Sequence, residues 1–234
     1  MIAIYKRELN SYFNSMVGYV FIAIIVAFVG FFFFVYNLIG GYPKFAYMLQ
    51  NCLYIFLVAV PILTMKSMSE DRKNKSDQLL LTAPVSMTGV VMGKYLAMLT
   101  VWLIPTILFC FCPLIIAANG TAYLMVDYST ILALFLMVGA QIAVGLFVSA
   151  LTESQVIAAV GTFAILMVLL LWDSLVGYLP SWLSNVLGLF SFTTAFYNFA
   201  YYNLFDIGGL ILYLSVAFIF IFATIQTLQK RRWS

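Results

Sequence analysis

The sequence predicts an all-α membrane protein with six transmembrane helices, a single transmembrane domain over residues 1–234. Three observations carry this. First, 65% of the 234 residues are hydrophobic, mean hydropathy is +1.09, and only 8% are charged, against about 25% in a soluble domain. No soluble fold of this length has enough interior to hide so much apolar surface. Second, six segments come close to the roughly 20 apolar residues that one helix needs to cross the hydrocarbon layer. Third, the basic residues fall almost entirely on one side of those segments.

The chain opens on residues 1–16, where Tyr5, Leu9, Tyr12, Phe13 and Met16 recur at helical spacing and Lys6, Arg7, Asn10 and Asn14 take the other face. With Glu8, this pattern predicts an N-terminal interfacial helix lying along the membrane surface; a plain extension of the first span is the alternative. The spans follow at 17–39, 48–65, 94–117, 131–151, 156–172 and 207–228. Pro61, Pro105 and Pro113 fall inside them, as membrane helices tolerate when neighbours satisfy the freed carbonyls. The first apolar run is too long for a cleavable signal peptide and no A-x-A site follows it.

Orientation follows from the positive-inside rule. With a cytoplasmic N-terminus, Lys6, Arg7, Lys66, Arg72, Lys73, Lys75, Lys94, Lys230, Arg231 and Arg232 lie inside, leaving Lys44 alone of the 11 basic residues outside. Both termini are then cytoplasmic, and Asp127, Asp173 and Asp206 lie outside. The expected location is the plasma (inner) membrane.

The largest cytoplasmic loop is 66–93. Its charged stretch Glu70-Asp71-Arg72-Lys73-Asn74-Lys75 reads as a solvated face near anionic headgroups. Behind it, Leu79-Leu80-Leu81-Thr82-Ala83 is expected to form a short helix ended by Pro84, whose apolar side would need lipid or a protein partner. Ser86 or Thr88 can cap the next helix, and Gly89 and Gly93 form a G-x-x-x-G at the membrane surface. Spans four and five are joined by Thr152-Glu153-Ser154-Gln155, a turn short enough to make them an antiparallel pair. The outer segment 173–206 has no basic residue and many apolar ones, among them Leu179, Trp182, Leu183, Val186, Leu187, Leu189 and Phe190. It is expected to form a packed, re-entrant or outer-surface helical segment between spans five and six.

Several chemistries find no residues here. The chain has no His, so imidazole catalysis and His-ligated metals are excluded. Cys52, Cys110 and Cys112 sit in apolar runs and read as packing. No Asp, Glu, Lys or Arg stands in the middle of a span, where ion-driven transporters keep relay groups; Gln141 is the most polar residue there, expected as an interhelical hydrogen-bond partner, with Thr106 and Thr162 lesser ones. There is no G-x-x-x-x-G-K-[ST] phosphate loop: Gly89-Val90-Val91-Met92-Gly93 precedes Lys94 at the wrong spacing, and Tyr95 follows. No catalytic, metal-binding or cofactor-binding residue is expected, and no nucleic-acid partner.

Four stretches resemble the ABC-2 type transporter permeases, most nearly the gliding-motility-type (Gld) permease subunit. Lys6-Arg7-Glu8-Leu9 through Tyr12-Phe13-Asn14-Ser15 is similar to that family's interfacial helix. Pro61-Ile62-Leu63-Thr64-Met65, then Ser69-Glu70-Asp71-Arg72, then Gln78-Leu79-Leu80-Leu81-Thr82-Ala83-Pro84-Val85-Ser86 and Gly93-Lys94-Tyr95 resemble its second span, cytoplasmic coupling helix and third span. Ser149 to Gln155 resembles its second cytoplasmic turn, and Leu228 to Trp233 its C-terminus. The resemblance implies a permease subunit of an ATP-driven exporter that alternates between inward- and outward-facing states. Two copies of a separate ABC ATP-binding subunit would bind ATP and Mg; this chain binds neither. A second permease, identical or a Gld-type auxiliary membrane protein, would complete the assembly within membrane lipid. The ATPase-docking residues implied are Glu70, Asp71, Arg72, Gln78, Leu79, Leu80, Leu81, Thr82, Pro84 and Glu153. The alternatives are a membrane scaffold docking a non-ATPase partner, and an ion-coupled transporter.

Overall fold

The computed structural model describes residues 1–73, 86–178, 180, 184 and 187–233. The described residues are helical, with no strand. Helix α1 (Ile2–Asn14) ends at Ser15, whose extended backbone turns the chain into α2 (Met16–Phe32). The last turns of α2 widen into a π-helix, Phe33–Ile39. Helices α3 (Phe45–Asn51) and α4 (Leu53–Thr64) meet at Cys52, and a turn at 65–68 leads into the short α5 (Ser69–Lys73). Then come α6 (Met87–Asn119), α7 (Leu124–Leu151) and α8 (Gln155–Val176). A 3-10 turn (Gly188–Phe190), α9 (Phe192–Ala200) and α10 (Ile207–Trp233) complete the chain.

Six helical stretches are long and apolar enough to cross a membrane: Met16–Ile39, Leu53–Lys73, Met87–Asn119, Leu124–Leu151, Gln155–Val176 and Ile207–Arg231. Six crossings return the C-terminus to the side of the N-terminus. That side carries most of the charge and is called the charged end below; the opposite side is the far end.

Helix α7 is the axis of the bundle. Of its most apolar window 78% is buried, against 17% in α8 and 22% in the last span. It packs against α4, α6, α8, α9 and α10. Gly145 permits the closest of these approaches, since a Cβ there would stand 2.4 Å from Thr64 Oγ1 and 2.8 Å from Thr64 Cβ. Aromatic side chains fill the space between α2, α4 and α6. Trp102 takes Phe21, Phe56 and Phe109 edge-on, with centroids 6.4, 5.3 and 6.2 Å away, a favoured arrangement for ring pairs. The outer faces of α2, α8 and α10 stay apolar and exposed, Phe31, Phe34, Val160, Phe163 and Phe218 among them, as a lipid-facing surface requires. Phe33, between half-buried Phe32 and exposed Phe34, turns inward onto Phe45.

The polar groups inside the spans are handled unevenly. Thr106 and Thr162 donate to Trp102 O and Ala158 O of their own helices, the usual back-bonding. Gln141 is buried, but its Oε1 has no hydrogen-bond partner among the described residues, so the interhelical bond expected of it is not made through that oxygen.

Several boundaries differ from the sequence expectation. Helix α7 starts at Leu124, seven residues ahead of the predicted 131, and the span predicted at 48–65 is broken at Cys52 between α3 and α4. Helix α6 starts at Met87, seven residues ahead of the predicted span at 94. Ser86 caps it by accepting from Gly89 N at 3.3 Å. Its 33 residues make a rod of about 50 Å, longer than the roughly 30 Å hydrocarbon layer, so the rod projects beyond it. At the far end, residues 179, 181–183 and 185–186 of the expected packed segment lie outside the described residues. The helix described there is α9, further along. It buries Phe192, Phe196 and Phe199 against the bundle, is capped by Ser191, and is held by Tyr213 donating to Phe192 O at 2.8 Å. Asp127, expected in an outer loop, is instead buried in the first turn of α7 and accepts from Ala46 N at 2.9 Å, capping α3 from another helix.

Candidate functional site

The charged end gathers residues from α1, α5 and α6 around one side chain. Lys94 is 1% exposed, although a lysine almost never buries unless paired. Its Nζ lies 3.0 Å from Glu8 Oε1 on α1 and 2.6 Å from Asp71 Oδ2 on α5. The same ammonium donates to the backbone carbonyl of Ser67 in the turn before α5. Three donors thus meet three acceptors, the satisfaction a buried ammonium requires. Arg7 closes the outer side of the cluster, 2.7 Å from Glu8 and 3.7 Å from Asp71. The bond to Glu8 holds the Arg7 guanidinium above its ordinary pKa.

The sequence places Glu8 on no particular face of α1. In the structure the buried stripe of α1 is Ile4, Glu8 and Tyr12, one residue every four. Tyr5, Leu9 and Phe13 flank it half-buried, Met16 begins the next helix fully out in the open, and Lys6 and Arg7 point outward. Tyr12 donates to Leu63 O at 3.2 Å, near the end of α4, and burial together with the Glu8 carboxylate pushes its phenol above the ordinary range. Tyr5 hydroxyl meets Thr100 Oγ1 at 2.9 Å on α6. The G-x-x-x-G at Gly89 and Gly93 is the seat for the start of α1: a Cβ on Gly93 would stand 3.2 Å from Ile4 Cγ2 and 3.3 Å from Met1 O.

A second knot ties α5 to the end of α7 and the turn that follows it. Ser149 Oγ accepts from Met68 N and Ser69 N, both at 3.1 Å, and donates to Met65 O at 3.3 Å. Ser69 Oγ donates to the same Met65 carbonyl. Arg72 donates to Ala150 O at 3.1 Å and to Glu153 Oε1 at 3.3 Å. One hydroxyl therefore satisfies two amides at the start of α5. Ser149→Ala is expected to cost about 1–3 kcal/mol, because both buried donors lose their acceptor. Hydrogen exchange at Met68 and Ser69 should speed up while α1 amides stay protected; unchanged exchange at both amides would count against this role.

Of the residues expected to dock a partner, the structure brings Glu70, Asp71, Arg72 and Glu153 to this end of the molecule. Their exposure differs. The Arg72 and Asp71 side chains are 10% and 21% exposed and engaged internally, whereas Glu153 is 69% exposed. Glu70 pairs with Lys66 one turn back at 3.4 Å, a contact worth little at a wet surface. Gln78, Leu79, Leu80, Leu81, Thr82 and Pro84 lie outside the described residues.

A cleft of about 210 Å³ opens beside the cluster, lined by Arg7, Lys66 and Lys94 against Glu8, Glu70 and Asp71, with Ser11, Tyr12 and Ser67. Its cations and anions balance, so the lining is self-compensated and has no net demand for a charged ligand. No group of three His, Cys, Asp or Glu among the described residues is arranged to hold a metal ion. The residues that sequence reasoning missed here are Lys94, counted only as a topological charge, and Ser149. One signal was available for the first: Glu8 is the only acid in the first 69 residues, on a helix otherwise basic or apolar.

Comparison with known families gives one match. The sequence model described as ABC-2 family transporter protein covers residues 39–198, well over half of the chain. No curated protein matches the chain at a significant level.

Proposed function

We propose, from the premise that this chain belongs to the ABC-2 transporter family and is therefore a multi-pass membrane permease component of an ABC transporter, that it is the transmembrane half of an ATP-driven exporter. The family match carries the reading. Two features of the chain support it. The sequence contains no phosphate-binding loop of its own, so ATP and Mg would be held by a partner, a role ABC-2 permeases leave to an ATP-binding subunit. The sequence between α5 and α6, outside the described residues, also carries a Leu79-Leu80-Leu81 run too apolar for open solvent.

In this reading, two ATP-binding subunits dock on the loop and on the exposed Glu153 of the neighbouring turn. Closure of the ATPases around ATP pushes the loop and switches the spans between inward- and outward-facing states. A second permease, identical to this chain or of the Gld type, packs beside it. The charged end is cytoplasmic, because the positive-inside rule applied to the sequence puts ten of the 11 basic residues on that side, and the membrane is the plasma (inner) membrane.

The decisive experiment is expression of the tagged chain with the ATP-binding protein encoded beside its gene. Co-purification of the two, with ATP hydrolysis faster in the complex than in the free ATPase, is expected. A permease that stays monomeric and stable with no ATPase bound would favour the scaffold reading. Flux that follows an ion gradient and ignores ATP would favour the transporter reading. Orientation is checked separately in a variant lacking Cys52, Cys110 and Cys112. A cysteine at Lys44 should react with an impermeant maleimide from outside intact cells, and one at Lys230 should react only after lysis. Reaction at 230 in intact cells would invert the topology.

A further inference from the structure

The loop proposed to receive the ATPase has two roots, and they are fastened to different parts of the molecule. The upstream root, α5, is tied to the end of α7 and the turn that follows it by Ser149, Ala150 and Glu153. The downstream root, the start of α6, carries the N-terminus of α1 on Gly93. Among the described residues, charge crosses between these bodies at the Lys94 cluster: Asp71 stands two residues before α5 ends, Lys94 stands on α6, and Glu8 stands on α1, with Arg7 of α1 also reaching Asp71 at 3.7 Å. A push on a loop with independent roots would splay them apart and be dissipated locally. With the roots joined, the same push displaces α1, α5 and the start of α6 together.

We infer that the Glu8–Lys94–Asp71 cluster is a mechanical clamp, which makes the interfacial helix and both roots of the loop move as one lever during the transport cycle; Lys94 and Asp71 are positioning residues for coupling. This rests on the exporter reading above, and nothing in the family match assigns it. The neutral sum of the surrounding charges supports a mechanical role over a ligand-binding one, since every carboxylate has a cation within 4 Å. The low exposure of Lys94 shields the pairing from salt and water, so the clamp holds while the surface around it is wet.

The test uses the intact permease–ATPase complex with native cysteines replaced. Spin labels are placed at Lys6 on α1 and Lys73 on α5, both exposed, and a third at exposed Ile219 on α10. Between the ATP-free and the ATP–vanadate-trapped complex, the 6–73 distance should stay constant while the 73–219 distance changes. A 6–73 distance that changes as much as 73–219 overturns the clamp, and so does a 73–219 distance that never moves. This measurement needs no variant in the cluster. Separately, Glu8→Gln, which is not among the docking residues, should leave the ATPase bound but reduce permease-stimulated ATP hydrolysis at least tenfold, and Glu8→Asp, which keeps the charge opposite Lys94, should restore most of it. Full stimulation in Glu8→Gln overturns the clamp. Failure of the wild-type permease to bind any ATPase would instead sink the exporter reading on which the clamp rests.

Discussion

Lys94→Met is expected to destabilise the permease by about 3–5 kcal/mol, the cost typical of removing one partner from a buried ion cluster. The variant leaves Glu8 and Asp71, with side chains only 10% and 21% exposed, facing one another across the space the ammonium filled. The Ser67 carbonyl loses its donor as well. Arg7 lies on the outer side, 49% exposed, and is screened too well to compensate. The damage should be local first. Helix α1 has its buried stripe on this cluster, so its amides should exchange faster and limited proteolysis should cut near Ser15 before the bundle unfolds. The triple variant Glu8→Gln, Asp71→Asn, Lys94→Met is the control. With no charge left to bury, it should recover most of the lost stability. Thermal unfolding in one detergent, compared across the three chains, decides the matter. A Lys94→Met chain that melts with the wild type would mean that water reaches the cluster and that the pairing contributes little.

Leu80→Asp is the second large effect, on assembly instead of folding. Leu79-Leu80-Leu81 is an apolar run in a charged loop, at the place where the family resemblance puts the coupling helix. Burying one leucine in a partner contributes roughly 1.5–3 kcal/mol, and a carboxylate brought against an apolar groove adds its own desolvation cost. ATPase affinity should therefore fall by about 10-fold to 100-fold or more. The loop lies outside the six apolar spans, so the amount of permease in the membrane should not change. Leu80→Met, close in volume and polarity, should bind almost as the wild type does. Lys75→Gln should also be nearly silent, because a single exposed charge is weakly coupled. Quantitative pull-down of the ATPase on detergent-solubilised permease gives the answer. Undiminished binding by Leu80→Asp would assign the leucines to the membrane surface instead. The two variants also separate from one another: Lys94→Met should weaken the helix bundle with the docking surface still present, whereas Leu80→Asp should leave the bundle untouched.

The α1 helix shows where sequence reasoning stops. Its existence is readable, because a run without Pro or Gly carries apolar residues at helical spacing. The face it buries is not. Tyr5, Leu9, Tyr12, Phe13 and Met16 look like the inner stripe by composition; of these Tyr12 is buried, but Ile4 and Glu8 join it there, Tyr5, Leu9 and Phe13 are only half-buried, and Met16 is exposed. Hydropathy counts Glu8 as a surface residue, and only the nearness of Lys94, 86 positions on in the same 234-residue sequence, makes burial of that carboxylate favourable. The start of α6 is a similar case. Hydropathy begins the span where apolar residues become continuous, whereas the helix begins at its Ser86 cap, and the intervening glycines receive α1. Asp127 reads as a loop residue until α3 is folded against it and supplies an unpaired amide.

Six spans, the sidedness of the basic residues and the lack of a nucleotide loop were decided by the sequence alone. Each depends on the transfer of a single residue or segment between water and hydrocarbon, a property that composition and run length already contain. Which polar groups go inside, which helix becomes the axis, and how the roots of the loop are joined were decided only by the tertiary structure. Those outcomes depend on pairs, such as Lys94 with Asp71, Ser149 with the amides of α5, and Gly145 with Thr64. A pair energy has no value until folding brings its members together, and it can outweigh the transfer cost that each member would incur alone.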